Sequence, residues 1–141
     1  MPDEYPIVFS PDGGCFGCSS SNPAGLQLSF RRRGALVVAD AVIAERFHGA
    51  PGIAHGGIIA TMLDEVSCAA AAAIRDTHVV TGELSVRYRR PCPVEAPLTL
   101  TARVTGDHPR YLVIEAELRR ADELLAQSTG KFFFTQARTT P

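Results

Sequence analysis

Three stretches in the second half of the chain alternate apolar and polar residues. Leu84, Val86 and Tyr88 alternate with Glu83, Ser85 and Arg87; Leu98, Leu100, Ala102 and Val104 with Thr99, Thr101 and Arg103; Leu112, Ile114, Ala116 and Leu118 with Val113, Glu115 and Glu117. A fourth run extends from about Leu124 to Thr135. A period of two is that of a strand with one buried face, so each run predicts a β-strand. Breaks at Arg90-Pro91-Cys92-Pro93, Gly106-Asp107-His108-Pro109 and Ala121-Asp122 suit an antiparallel series with short links. Nearer the start, Leu26 to Phe30 alternates in the same way, and Ala35 to Ile43 reads as its return across a solvated Arg31-Arg32-Arg33-Gly34 turn.

Between these groups the period changes. After Gly56-Gly57 come about 18 residues free of Gly and Pro and rich in Ala, Leu, Ile and Met, a composition that predicts one long helix ending near Arg75. At ~100° per residue, Ile59, Met62, Leu63, Val66, Ala70 and Ala73 share a face suited to a core. The opposite flank carries Gly57, Ala60, Thr61, Asp64, Cys68, Ala71 and Ala72. A solvated flank would carry long polar side chains, so this small-residue flank is expected to be covered, with Asp64 in or beside the cover. A carboxylate there must be paired with an arginine, hydrogen-bonded or put to use.

The helix start adds chemistry. His55-Gly56-Gly57 presents backbone N–H groups with no side chain in the way, which suits an oxyanion or a polarised carbonyl oxygen. Gly56 and Asp64 lie eight residues apart, about 12 Å along a helix axis, too far for one small reacting group to touch both within one chain. Two helices antiparallel across a two-fold axis near Ala60-Thr61 would bring the glycine pair of one copy to Asp64 of the other. His55 has a second role open to it, fixing the loop at the helix entry.

Two strands, one long helix and four strands make an α+β domain in which an antiparallel sheet wraps one central helix. Residues 1–141 read as one domain, with 1–24 as an N-terminal extension and loop. At 141 residues and 45% hydrophobic content the chain can bury a substantial core. A net charge of −1 gives no electrostatic case for nucleic-acid binding. Met1 to Ser10 lacks the features of a signal peptide, and no run of apolar residues was expected to reach membrane length, so the expected compartment is the cytoplasm with no membrane association.

Four cysteines stand at 15, 18, 68 and 92 and are expected to be reduced. Cys15-Phe16-Gly17-Cys18 has the spacing of half a metal site, but the usual second pair is missing, so it reads as a Gly-rich turn packing two small thiols, with no metal expected. His48 and His55 lack a neighbouring carboxylate and an H-E-x-x-H pattern, a weak metal signal.

His55 to Asp64, H-G-G-I-I-A-T-M-L-D, resembles the H-G-G-x6-D signature of PaaI-type hot-dog-fold acyl-CoA thioesterases. Val80 to Pro91, V-T-G-E-L-S-V-R-Y-R-R-P, resembles the strand that follows it, and the opening C-F-G-C-S-S-S-N-P-A-G-L-Q-L-S-F resembles the N-terminal segment of many members. The resemblance covers about Cys15 to Thr135. It implies a hot-dog fold assembled as a homodimer or as a homotetramer made of two dimers, hydrolysing an acyl-CoA substrate between subunits without a cofactor. Carried over by position, Gly56, with Gly57 beside it, would polarise the thioester carbonyl, and Asp64 of the partner copy would be general base or nucleophile. Thr81 matches a hydroxyl that positions water, and His55, Gly57 and His48 would meet substrate. Where many members carry an Asn before H-G-G this chain has Phe47-His48-Gly49, which leaves His48 as the polar candidate there. Arg87, Arg89, Arg90 and Arg110 are candidates for the CoA phosphates.

An oriented N–H donor and one carboxylate suffice for an electrophilic thioester, and no G-x-S-x-G elbow is present. Two other readings remain. One is an acyl-thioester hydratase, for which a D-x-N-x-x-H pattern is missing; the other is a non-catalytic acyl-CoA binder or sensor using the same cleft.

Overall fold

The period-two runs form strands where they were expected. In the computed structural model, which describes residues 4–8 and 13–135, they are β4 (Val79–Tyr88), β5 (Pro97–Asp107), β6 (Tyr111–Arg120) and β7 (Glu123–Phe134). Before the helix come β1 (Glu4–Ile7), β2 (Phe30–Arg33) and β3 (Leu36–Val42). All pairings are antiparallel and make one sheet in the order β1-β2-β3-β5-β6-β7-β4. The single helix among the described residues longer than one turn, α1, spans Gly56–Arg75. It lies chiefly against β5 and β6 and also meets β4 and β3.

Alternation explains the core. Leu98, Leu100 and Ala102 on β5, and Leu112, Ile114, Ala116 and Leu118 on β6, are all buried toward the helix. On α1, Ile59, Met62, Leu63, Val66 and Ala70 answer them. Each large side chain of this kind contributes about 1.5–3 kcal/mol by leaving water. Ala73, expected with them, is half-buried, whereas Ala71, expected on the opposite flank, is fully buried, so the buried arc widens toward the helix C-terminus. At 20 residues, α1 is by length and composition long and apolar enough to cross a membrane, which corrects the expectation that no segment would be. In this fold its apolar face is spent on the sheet.

The arginine triplet is strand rather than turn. Leu26 to Ser29 form no strand; β2 begins at Phe30 and carries all three arginines, and the reversal is left to Gly34-Ala35, with Gly34 at φ +59°. Cross-strand partners unseen in a local pattern explain this. Arg31 donates to Glu4 at 2.9 Å and to Asp40 at 3.2 Å, and Arg33 pairs with Glu4. Arg32 points the other way and donates to the Ala73 carbonyl at 2.9 Å, satisfying an open acceptor in the last turns of α1. Within the segment read as extension and loop, Glu4–Ile7 thus adds an edge strand, β1.

Candidate active site

Asp64 sits halfway along α1, half-buried, on the flank that also holds Ala60, Thr61 and Cys68. No arginine, lysine or histidine pairs with it among the described residues. Its partner is a hydroxyl: Thr81 Oγ1 on β4 donates to Asp64 Oδ1 at 2.6 Å. A short hydrogen bond to a carboxylate fixes its rotamer and leaves Oδ2 open. Thr81 is placed by a register shift in the β4–β7 ladder between Thr81 and Glu83, where Gly82 stands against the Phe133 ring. Such a bulge re-aims the side chains beside it. Cys68, one turn beyond Asp64, lies 3.9 Å from the Thr81 hydroxyl. Burial, and then the Asp64 charge, push its thiol up to about 12.

At the other end of the helix, His55 is the N-cap. Its Nδ1 accepts the Gly57 N–H at 2.9 Å, and its carbonyl accepts from Ile58 at 3.0 Å and Ile59 at 3.2 Å. The Gly57 amide is therefore already used, and the glycine pair narrows to one available donor. Gly56 N–H makes no hydrogen bond among the described residues. Tyr88 on β4, which sequence reasoning treated as one more apolar position, donates its hydroxyl to the Gly56 carbonyl at 2.7 Å. Its aromatic signal was visible, but the reach from β4 to the helix start was not.

Gly56 and Tyr88 open on a cleft of about 260 Å³ lined also by Ile53, Ala54, Ile59 and Arg89 to Cys92. Of the candidate phosphate ligands, Arg90 pairs with Glu123 at 3.1 Å and Arg89 donates to Gln127 at 2.8 Å; Arg87 and Arg110 are exposed. His48 is exposed and bridges to Ala54 through its backbone, and its side chain shares no hydrogen bond with Asp64, Thr81 or Gly56 among the described residues.

Glu65, the next residue along α1, faces a different flank. It is half-buried against the Cys15–Cys18 loop, with its Oε1 3.5 Å from Cys15 Sγ. Burial raises its pKa; the neighbouring Cys18 and Cys15 thiols work against that rise, and the Asp64 charge adds to it. The turn expected to pack two small thiols thus has a carboxylate folded onto it.

A sheet wrapped round one helix, with an acid in mid-helix and a bare amide at its start, places the chain in a family. It belongs to the thioesterase superfamily, whose model matches residues 51–127, more than half the chain, and its architecture is the hot-dog fold. Among its relatives is the acyl-coenzyme A thioesterase THEM4 of Bos taurus, 32% identical over 88 residues that cover 60% of this chain and 35% of that protein. The chain spans little more than a third of the length of the THEM4 relatives it matches. Among solved structures, a phenylacetic acid degradation-related protein of Ralstonia eutropha superposes with a TM-score of 0.70 at 22% identity, covering 77% of this chain and 85% of that one. A Streptococcus mutans protein bound to acetyl CoA superposes with a TM-score of 0.66 at 22% identity, covering 72% and 82%. These last two likenesses are of fold.

Proposed function

We propose that the protein hydrolyses an acyl-CoA thioester to free acid and CoA at sites shared between two copies of the chain. The observation that carries this reading is Asp64, held by the Thr81 hydroxyl at 2.6 Å and paired with no cation among the described residues. An acid on a small-residue flank, oriented by one hydroxyl and otherwise uncompensated, is arranged for use rather than for stability. In the proposed step Asp64 Oδ2 accepts a proton from water while the water oxygen bonds to the thioester carbon. The negative charge passes to the carbonyl oxygen, where the partner copy's Gly56 amide stabilises it. Collapse breaks the C–S bond and CoA thiolate leaves, taking a proton. Alternatively, Asp64 itself attacks and water then cleaves the acyl-carboxylate intermediate.

The shared site is supported by length and by the sheet edge. About 12 Å of helix separates Gly56 from Asp64 within one chain. Beside Asp64, β4 is an edge strand whose residues 80–83 are all exposed. A ten-residue edge offers unpaired backbone groups to a second copy. Among the described residues no imidazole bonds to Asp64, which disfavours the hydratase reading, and His55 Nδ1 is engaged by Gly57.

The test is thiol release from short, medium, long and aryl acyl-CoAs by the wild-type chain and by Asp64→Asn. Turnover of at least one ester, lost in a variant that keeps its fold and assembly, is expected. Undiminished turnover by Asp64→Asn removes Asp64 from the mechanism, and CoA-ester binding without thiol release from any substrate favours the binder.

A further inference from the structure

We propose that Cys15, Cys18 and Glu65 form a binding site for a divalent metal ion of the zinc class, which staples the N-terminal loop onto α1. The three side chains offer ligand atoms that all lie within 4.8 Å of one another. For a tetrahedral ion with metal–sulfur bonds of about 2.3 Å and a metal–oxygen bond of about 2.1 Å, sulfur and oxygen ligands stand about 3.6 Å apart. Cys15 Sγ and Glu65 Oε1 are 3.5 Å apart. That pair is thus spaced for an ion before one arrives, with the Cys18 sulfur within 4.8 Å of both.

The surroundings are built around this spacing. Gly17 N–H donates to Cys15 Sγ at 3.3 Å, which holds that sulfur in place beside the helix. Gly17 itself is where Glu65 enters: a Cβ there would overlap the Glu65 side chain. The loop is held in place from behind, with Leu26 N–H on the Phe16 carbonyl at 2.8 Å and Leu28 N–H on the Gly17 carbonyl at 2.9 Å. Phe16 also packs edge-on against Phe47, with ring centroids 6.2 Å apart. Glu65 has no cationic partner among the described residues, although it is half-buried. Two thiol donors are a weak substitute for one, because a buried carboxylate is costly unless paired with positive charge.

Binding is simple in its balance. Cys15 and Cys18 release their protons to solvent as the two metal–sulfur bonds form, Glu65 adds a carboxylate oxygen, and water takes the fourth position. Two thiolates select a borderline or soft ion over magnesium or calcium. The other cysteines are not needed, since Cys68 faces Thr81 and Cys92 is buried elsewhere in the core. The sequence alone could show only two ligands at i and i+3. The third comes from 47 residues further on, by α1 lying across the loop.

The full chain, reduced and stripped with a chelator, is titrated with Co²⁺ alone. A saturating thiolate-to-cobalt charge-transfer band at one ion per chain, displaced by Zn²⁺, is expected. Cys15→Ser and Cys18→Ser should each weaken the titration by about 100-fold or more and diminish the band. Glu65→Gln should weaken it by about 10–100-fold while keeping the thiolate band. Cys68→Ser should titrate as wild type. Zn²⁺ should also raise the melting temperature of the wild-type chain and not that of Cys18→Ser. Absence of the band in the wild-type chain, a band that survives in both serine variants, or one lost in Cys68→Ser overturns the proposal. Should the serine variants fail to fold, the wild-type and Glu65→Gln titrations decide it.

Discussion

Asp64 and Glu65 are neighbours in the chain, yet helix geometry turns them about 100° apart and gives them different company. Asp64 faces β4, where a single hydroxyl 2.6 Å away orients it. Glu65 faces the N-terminal loop, where two thiols surround it and burial raises its pKa. The strand side presents an acid with one oxygen engaged and the other open; the loop side presents an acid enclosed by soft ligands. The same functional group therefore does unlike work according to what the tertiary fold lays over each helix flank. A local reading sees only two adjacent acids.

The sharpest way to break this contrast is to neutralise the strand-side acid. Asp64→Asn keeps the size and most of the hydrogen bonding, so the fold should survive. Thioester hydrolysis should fall by about 10²–10⁴-fold if the carboxylate handles the proton. Steady-state thiol release beside a melting curve checks both halves. A loss of comparable size from Glu65→Gln in metal-free protein would show that the two acids are not functionally distinct.

The core face of the same helix provides the next comparison. Met62 is 1% exposed and precedes the acids by less than one turn. Met62→Ala should lower unfolding free energy by about 2–5 kcal/mol, because a cavity is left between α1 and the sheet. Denaturant titration measures it. A fall below ~1 kcal/mol would show that this face collapses easily and does not hold the acids in register.

Thr81 tests the strand side more finely. Thr81→Val removes the hydroxyl while keeping the β-branched shape, and should cost about 10–100-fold in kcat, the worth of a hydrogen bond to a charged group. Thr81→Ser should recover most of it. A change confined to KM would show that the hydroxyl meets substrate rather than positioning the acid.

How much of this was legible depends on the range of the interactions. The helix from Gly56 and the four strands after it follow from periods of 3.6 and 2, which each segment carries within itself. The placing of Thr81 was approached through resemblance, and its register rests on a bulge at Gly82 that no alternation reveals. The arginine triplet was misread because its polarity is answered from elsewhere: Glu4 and Asp40 across the sheet, and the Ala73 carbonyl on the helix. The same reason hid Tyr88 on Gly56 and Glu65 on the cysteine loop. The capping of Gly57 by His55 is local, and the role of fixing the helix entry was open to that histidine from the start. What could not be counted in advance was its consequence, one free amide where the motif offers two.

Gly17 gives the smallest and most selective probe of the loop side. A Cβ at Gly17 would fall on the Glu65 side chain, whereas one at Gly13, four residues earlier, would meet nothing within 4 Å. Gly17→Ala must therefore push Glu65 off the loop, with a cost of about 1–3 kcal/mol for overpacking. Gly13→Ala should stay within about 0.5 kcal/mol. Because Cys15 is already exposed and Cys18 is half-buried beside Glu65, displacement of the carboxylate should also speed the labelling of Cys18 by a thiol reagent in the folded protein. The readout is paired: unfolding free energy and the rate of native-state labelling, each for the two alanine variants. Equal behaviour of the two would mean that the carboxylate rests loosely on the loop, and the distinction between the two acids would then rest on Asp64 alone.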